Sequence, residues 1–175
     1  MNLDDLDGRI GEGWGGLGPN GCHINAVLAR RGSPTAAAAT SMLAHPSPGH
    51  TPVLVCVGPS QPEYEVLWPP TLMMNKATAV KERHQTITWG AGQLGVAQGV
   101  LDTVADGTIE ATHDLIVLVA IWIDENADDE AAVKAAAREA VGKALRTCVH
   151  GRDPDTVARL VAGRDELTNP FYSGD

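Results

Sequence analysis

The hydrophobic pattern is strongest over residues 114–124 (DLIVLVAIWID), where apolar residues fill both parities of a run closed at each end by aspartate. A strand apolar on both faces lies inside a sheet, so this run predicts the central strand. Residues 22–30 (CHINAVLAR) alternate enough to predict a second strand, residues 52–58 (PVLVCVG) a buried third, and residues 71–79 a fourth. In the fourth, the two-residue period of a strand puts Lys76 and Thr78 on one face. Helical spacing governs residues 128–149, with Val133, Ala137, Ala140, Val141, Ala144, Leu145 and Cys148 as the buried stripe. It recurs over residues 92–105 through Leu94, Ala97, Leu101 and Val104. Ser33 is a capping residue and Pro34 fits the first helical position, so an Ala-rich helix is expected from there to Ala44. Asp153-Pro154 begins a last short helix ending at Ala162. The four prolines of residues 59–70 predict a loop. Residues 1–21, rich in Gly and Asp with little to bury, predict a mobile N-terminal arm, and residues 168–175 form a polar tail around Pro170 and Phe171. No internal repeat is evident. The interleaved strands and helices predict one sheet covered by helices, an α/β or α+β two-layer plan.

Composition narrows the class. A chain of 175 residues, 43% hydrophobic and 20% charged, is expected to bury one core, so residues 22–175 are read as a single domain behind the arm. A net charge of −9 argues against a binder of phosphate backbones, so no nucleic-acid partner is expected. Cys22, Cys56 and Cys148 are odd in number and far apart, which is neither a disulfide framework nor a zinc pattern and favours a reducing, cytoplasmic setting. The start, Met1-Asn2-Leu3-Asp4-Asp5, lacks the basic region and apolar run of a signal peptide. The longest apolar run, residues 115–123, is too short to span a bilayer, so no membrane association is expected.

Candidate chemistry is thin when each motif is taken alone. Residues 11–16 and 90–95 both fit G-x-G-x-x-G, but the first follows no expected strand. Polar residues precede the second, and the acid that should end the next strand about 20 residues on is Asp124, 34 residues on. A glycine turn before a packed helix accounts for it. His45, His50, His84, His113 and His150 show no metal-ligand spacing, so no metal is expected. Asp124, Asp128, Asp129 and Glu130 suit a solvated helix start. His23 and Asn25 share a strand face; His23 is either a hydrogen-bonded histidine or a proton donor near neutral pH. Lys76 is either a solvated edge residue or a ligand for a carbonyl or anion, and Gln93 either caps a turn or grips a heterocycle edge.

Four blocks, His23-Ile24-Asn25, Arg31-Gly32-Ser33-Pro34, Leu72-Met73-Met74-Asn75-Lys76-Ala77-Thr78 and Gln93-Leu94-Gly95-Val96-Ala97, change this picture together. In order and spacing they resemble the formaldehyde-activating enzymes, from about residue 21 to residue 171. The resemblance implies condensation of formaldehyde with tetrahydromethanopterin, as co-substrate, to methylene-tetrahydromethanopterin and water, with no redox cofactor and no metal. It implies a two-layer α+β fold like the second domain of a small-subunit ribosomal protein, assembled as a homopentameric ring. It assigns the proton donor to the position of His23 and substrate contacts to those of Asn25, Leu54, Lys76, Thr78 and Gln93. The family usually has Asp where this chain has Asn25; a carboxylate there is expected to favour the protonated form of His23, and Asn lacks that charge. The departure leaves open a non-catalytic or substrate-altered relative that binds a reduced pterin, another amine or an aldehyde adduct.

Overall fold

The computed structural model describes residues 2–170 together with Tyr172 and Gly174. Its strands are β1 (Ile10–Gly15), β2 (Cys22–Arg30), β3 (Val53–Leu54), β4 (Cys56–Val57), β5 (Glu65–Val66), β6 (Thr71–Asn75) and β7 (Leu115–Ile123). Five of them form one sheet in the order β1-β2-β7-β6-β3, and β4 and β5 pair as a separate ribbon. The apolar run read as central is central: β7 lies antiparallel to β2 and parallel to β6. Parallel neighbours need a crossover, and here it runs through α3 (Glu82–Ile87) and α4 (Gln93–Ala105). The other helices are α1 (Leu3–Leu6), α2 (Pro34–Ser41), α5 (Glu130–His150) and α6 (Pro154–Ala162).

The sheet has two unequal faces. Cys22, Ile24, Ala26 and Leu28 of β2, with Leu115, Val117, Val119, Ile121 and Ile123 of β7, are buried in the core on the inner face. α5 packs across β1 and β2 on that side, and α4 packs on α5. The stripe read along α5 is the buried stripe, from Val133 to Cys148. On the outer face the alternate residues of β2 and β7 are mostly only half-buried. The result is the expected α+β two-layer fold, covered on one side and partly open on the other.

Several details differ from the sequence reading. Within the expected arm, residues 10–15 form the edge strand β1 and Leu6 is buried. β1 escapes a hydrophobicity pattern because its inner residues are Gly11, Gly13 and Gly15. A Cβ on any of them would sit 2.1 Å from a carbonyl oxygen of α5, at Ala144, Ala140 or Ala136. Residues 52–58 are not one strand, because the chain changes partners at Val55: its N–H donates to Thr71 (2.8 Å) while its carbonyl accepts from Leu67 (3.1 Å). β6 stops at Asn75, so Lys76 and Thr78 lie beyond the strand. α4 buries Gly95, Val96, Ala97, Gly99 and Val100, whereas Leu94 and Leu101 are 41% and 45% exposed. Gly95 and Gly99 face α5, where an added Cβ would fall within 2.5 Å of a backbone carbonyl. Residues 90–95 continue a helix through a π-helical turn (Thr88–Gly92) and do not form a strand-to-helix loop, which removes the dinucleotide context.

Candidate active site

The outer face collects polar groups on apolar ground. In the β1–β2 register Trp14 lies opposite His23 and Glu12 opposite Asn25. His23 and Asn25 leave β2 on the same face, and Lys76, just past β6, reaches them both. Lys76 Nζ lies 2.6 Å from His23 Nδ1 and donates to Asn25 Oδ1 at 2.8 Å. On the other side of the ring His23 Nε2 lies 3.0 Å from Glu12 Oε2. The second oxygen of Glu12 is held by Arg152, from the segment between α5 and α6. A carboxylate only accepts, so Nε2 carries the proton of that contact. Trp14 stacks near His23 with ring centres 6.2 Å apart, and Trp122 lies 5.9 Å from Trp14.

Charge and burial tune this group. Burial lowers the pKa of Lys76 below the usual lysine value, and the negative charge of Glu12 partly opposes that. The hydrogen bond from His23 holds Glu12 below the ordinary carboxylate range, burial acts against it, and Arg152 adds to the lowering. Only one proton fits between Lys76 Nζ and His23 Nδ1 at 2.6 Å, so one of the two donates and the other accepts. The two buried cysteines are held out of play, since burial pushes Cys22 up to about 12 and Cys148 up to about 11. Beside Asn25 opens an apolar hollow of about 220 Å³, lined by Val27, Met42, Leu72, Met74 and Leu118.

The structure thus brings together His23, Asn25 and Lys76. Leu54, paired with Leu72 in β3, lies on the same outer face. Thr78 and Gln93 are engaged elsewhere. The Thr78 hydroxyl lies 2.8 Å from His50 Nε2, and His50 Nδ1 lies 3.1 Å from the Asn75 carbonyl. A carbonyl only accepts, so His50 donates to it through Nδ1. Gln93 accepts from the Cys56 N–H (3.1 Å) and donates to the Trp89 carbonyl (2.7 Å), beside a cleft of about 490 Å³ that Tyr64, Trp89 and Lys134 help to line. The side chain at position 25 bonds to Lys76, which in turn contacts His23. Sequence reasoning missed Glu12, Trp14 and Arg152. The signal for the first two was present, since glycine and larger residues alternate at residues 11–15 with the period of a strand. Among the described residues no group of three or more His, Cys, Asp or Glu is placed to hold a metal, and no helix is long and apolar enough to cross a membrane.

An imidazole gripped by a carboxylate and an ammonium, beside an apolar hollow, is suited to moving a proton at a small organic molecule; the class is an acid–base enzyme on a two-layer α+β fold. Within that class the chain belongs to the formaldehyde-activating enzyme family, whose sequence model matches residues 10–172. It is 34% identical over 169 residues to the 5,6,7,8-tetrahydromethanopterin hydro-lyase of Methanosarcina barkeri, covering 95% of this chain and 91% of that protein. It is 32% identical over 128 residues, or 71% of this chain, to a bifunctional enzyme Fae/Hps of Archaeoglobus fulgidus, of which it spans 31%. A similar bifunctional enzyme of Methanosphaerula palustris is 27% identical over 149 residues, 84% of this chain and 37% of that protein.

Proposed function

We propose that the protein condenses formaldehyde with tetrahydromethanopterin to give methylene-tetrahydromethanopterin and water. Family membership and the name of the Methanosarcina relative support the reaction. The observation that carries it to particular residues is His23 suspended between Glu12 and Lys76. A pterin nitrogen attacks the formaldehyde carbon and its proton passes to the oxygen, giving a carbinolamine. Hydroxide is a poor leaving group. A proton from His23 turns it into water, and its departure leaves an iminium cation. The second pterin nitrogen attacks that carbon, closes the ring and releases a proton, so the acid is regenerated. Proton donation of this kind contributes roughly 10²- to 10⁴-fold, and holding carbon and both nitrogens together supplies further acceleration.

The remaining residues bind. Two of the ammonium protons of Lys76 are directed at His23 and Asn25, which leaves one for a formaldehyde oxygen or a pterin carbonyl. Leu54 packs on the ring, and Thr78 and Gln93 hydrogen-bond it. Within one chain those last two bond His50, Cys56 and Trp89 and not the His23 group, which fits a site shared by neighbouring subunits. We propose a ring-like homo-oligomer, a pentamer, with substrate between protomers in the cytoplasm. The half-open outer sheet face supports this, as does α6, which buries no residue and exposes Val157, Leu160 and Val161. Asn25 in place of the usual Asp favours one second reading, the same scaffold acting on a different amine.

Two measurements test the proposal. His23→Ala should cut the enzyme-catalysed rate at least about tenfold with the fold intact; a rate unchanged above the spontaneous background would remove His23 as the acid. Light scattering that finds a stable monomer of 18.4 kDa would overturn the shared site. A binding screen across reduced pterins and other amines separates the two readings of the substrate.

A further inference from the structure

An imidazole has two nitrogens, and an acid is useful only if the right one faces the substrate. In His23 they are not equivalent: Nε2 is turned to Glu12 and Nδ1 to Lys76, which also bonds Asn25. We propose that Glu12 is a positioning residue for the reaction. Its carboxylate holds the Nε2–H of His23, fixes Nδ1 toward Lys76, from which the ring takes the proton it passes on, and supplies the negative charge that position 25 lacks. This rests on the proposed acid role of His23 and extends it to a residue outside the four sequence blocks.

The geometry argues for more than a surface contact. Glu12 lies diagonally across the β1–β2 pair from His23, a separation that a long side chain bridges. The backbone beneath it is fixed, because Gly11 and Gly13 on either side press against α5. Arg152 occupies the other oxygen and limits rotation of the carboxylate. The groups facing the ring are Glu12 from β1, Lys76 from beyond β6, and the neutral rings of Trp14 and, behind it, Trp122. A carboxylate at one nitrogen stabilises the imidazolium and fixes where the other nitrogen points, as the Asp of a catalytic triad does; here it points at Lys76. A plain Glu12–Arg152 surface pair would be indifferent to turnover.

Glu12→Gln keeps the shape and removes the charge. It should lower kcat about tenfold or more while KM stays within about twofold, because the loss falls on the proton-transfer step. Glu12→Asp, one methylene shorter, should recover part of that loss. NMR gives a readout that needs no turnover: a downfield His23 Nε2 proton protected from water exchange, shifted upfield and exchanging faster in Glu12→Gln. An unchanged kcat, or an Nε2 proton indifferent to Glu12→Gln, would overturn the proposal. If the natural protein does not speed the condensation at all, the proposed reaction falls, while the NMR comparison still decides whether Glu12 sets His23. Should Glu12→Gln lose its fold, Glu12→Asp carries both readouts, with intermediate values expected and natural values overturning the role.

Discussion

Position 25 offers a charge experiment of nearly constant shape. Asn25 Oδ1 accepts from Lys76 Nζ at 2.8 Å, so Asn25→Asp sets a full negative charge at that oxygen. At an effective dielectric constant of about 20, Coulomb's law gives a gross attraction of roughly 6 kcal/mol at that distance. Most of it does not survive. The existing ion–dipole hydrogen bond is lost from the balance, the new carboxylate must be desolvated, and Lys76 is only half-buried, so the net gain is about 1 kcal/mol. That corresponds to a shift of about 0.7 pH unit. The sign follows from Lys76: burial lowers its pKa, and a second carboxylate beside Glu12 opposes burial. The Lys76 ammonium is then held to higher pH, and the limb of the kcat/KM profile that reports its loss moves upward by about 0.5 to 1 unit. The assay is methylene-pterin formation across pH, corrected for the spontaneous rate. A folded variant whose limb moves by less than about 0.2 unit would refute the coupling of position 25 to the acid. Pterin binding should tighten as well; if it is abolished for the true ligand, this chain serves another amine.

Three further outcomes are expected. Gly13→Ala forces a Cβ to 2.1 Å from the Ala140 carbonyl, so β1 must lift from α5; a loss of at least about 1–3 kcal/mol should be seen in urea unfolding. Asp7 accepts from the Arg30 N–H (2.8 Å), Ser33 Oγ (2.7 Å) and Thr35 Oγ1 (3.2 Å), and Asp7→Ala should lower the melting temperature, most clearly above pH 4. These bonds, the one from the Arg30 N–H foremost, hold the Asp7 pKa below 3.8, so its contribution is full above that value and is lost as pH falls through the lower, folded one. Chelator should leave activity and melting temperature unchanged, since no metal is assigned a role; stoichiometric zinc lost together with function would contradict this.

Much of the fold was legible wherever burial is carried by large side chains. β2, β7 and the α5 stripe follow from hydrophobic period alone, and the Ser33-Pro34 start forms as written, with Ser33 Oγ accepting from the Ala36 N–H at 3.1 Å. Legibility failed where glycine does the packing. β1 contacts α5 through Gly11, Gly13 and Gly15, and α4 contacts it through Gly95 and Gly99; a hydrophobicity pattern scores neither. The same blindness put Leu94 and Leu101, which are exposed, on the buried face of α4 with Ala97 and Val104. At the site, the family resemblance pointed to His23, Asn25 and Lys76, which meet. Glu12 and Arg152 were out of reach because they arrive from segments 11 residues before and 129 residues after His23, and only strand register and the turn after α5 deliver them.

β1 keeps its two duties on opposite parities. Residues 11, 13 and 15 admit no side chain because a helix lies against them, while Ile10, Glu12 and Trp14 face outward and meet no such limit. Substitutions along this strand therefore divide into two nearly independent sets, one that decides whether the chain folds and one that decides what its outer face does. A lineage, or a library randomised only at positions 10, 12 and 14, can explore new chemistry beside His23 without disturbing the contact with α5. The edge strand is in that sense the most evolvable part of the site, although a hydrophobicity profile gives it no weight.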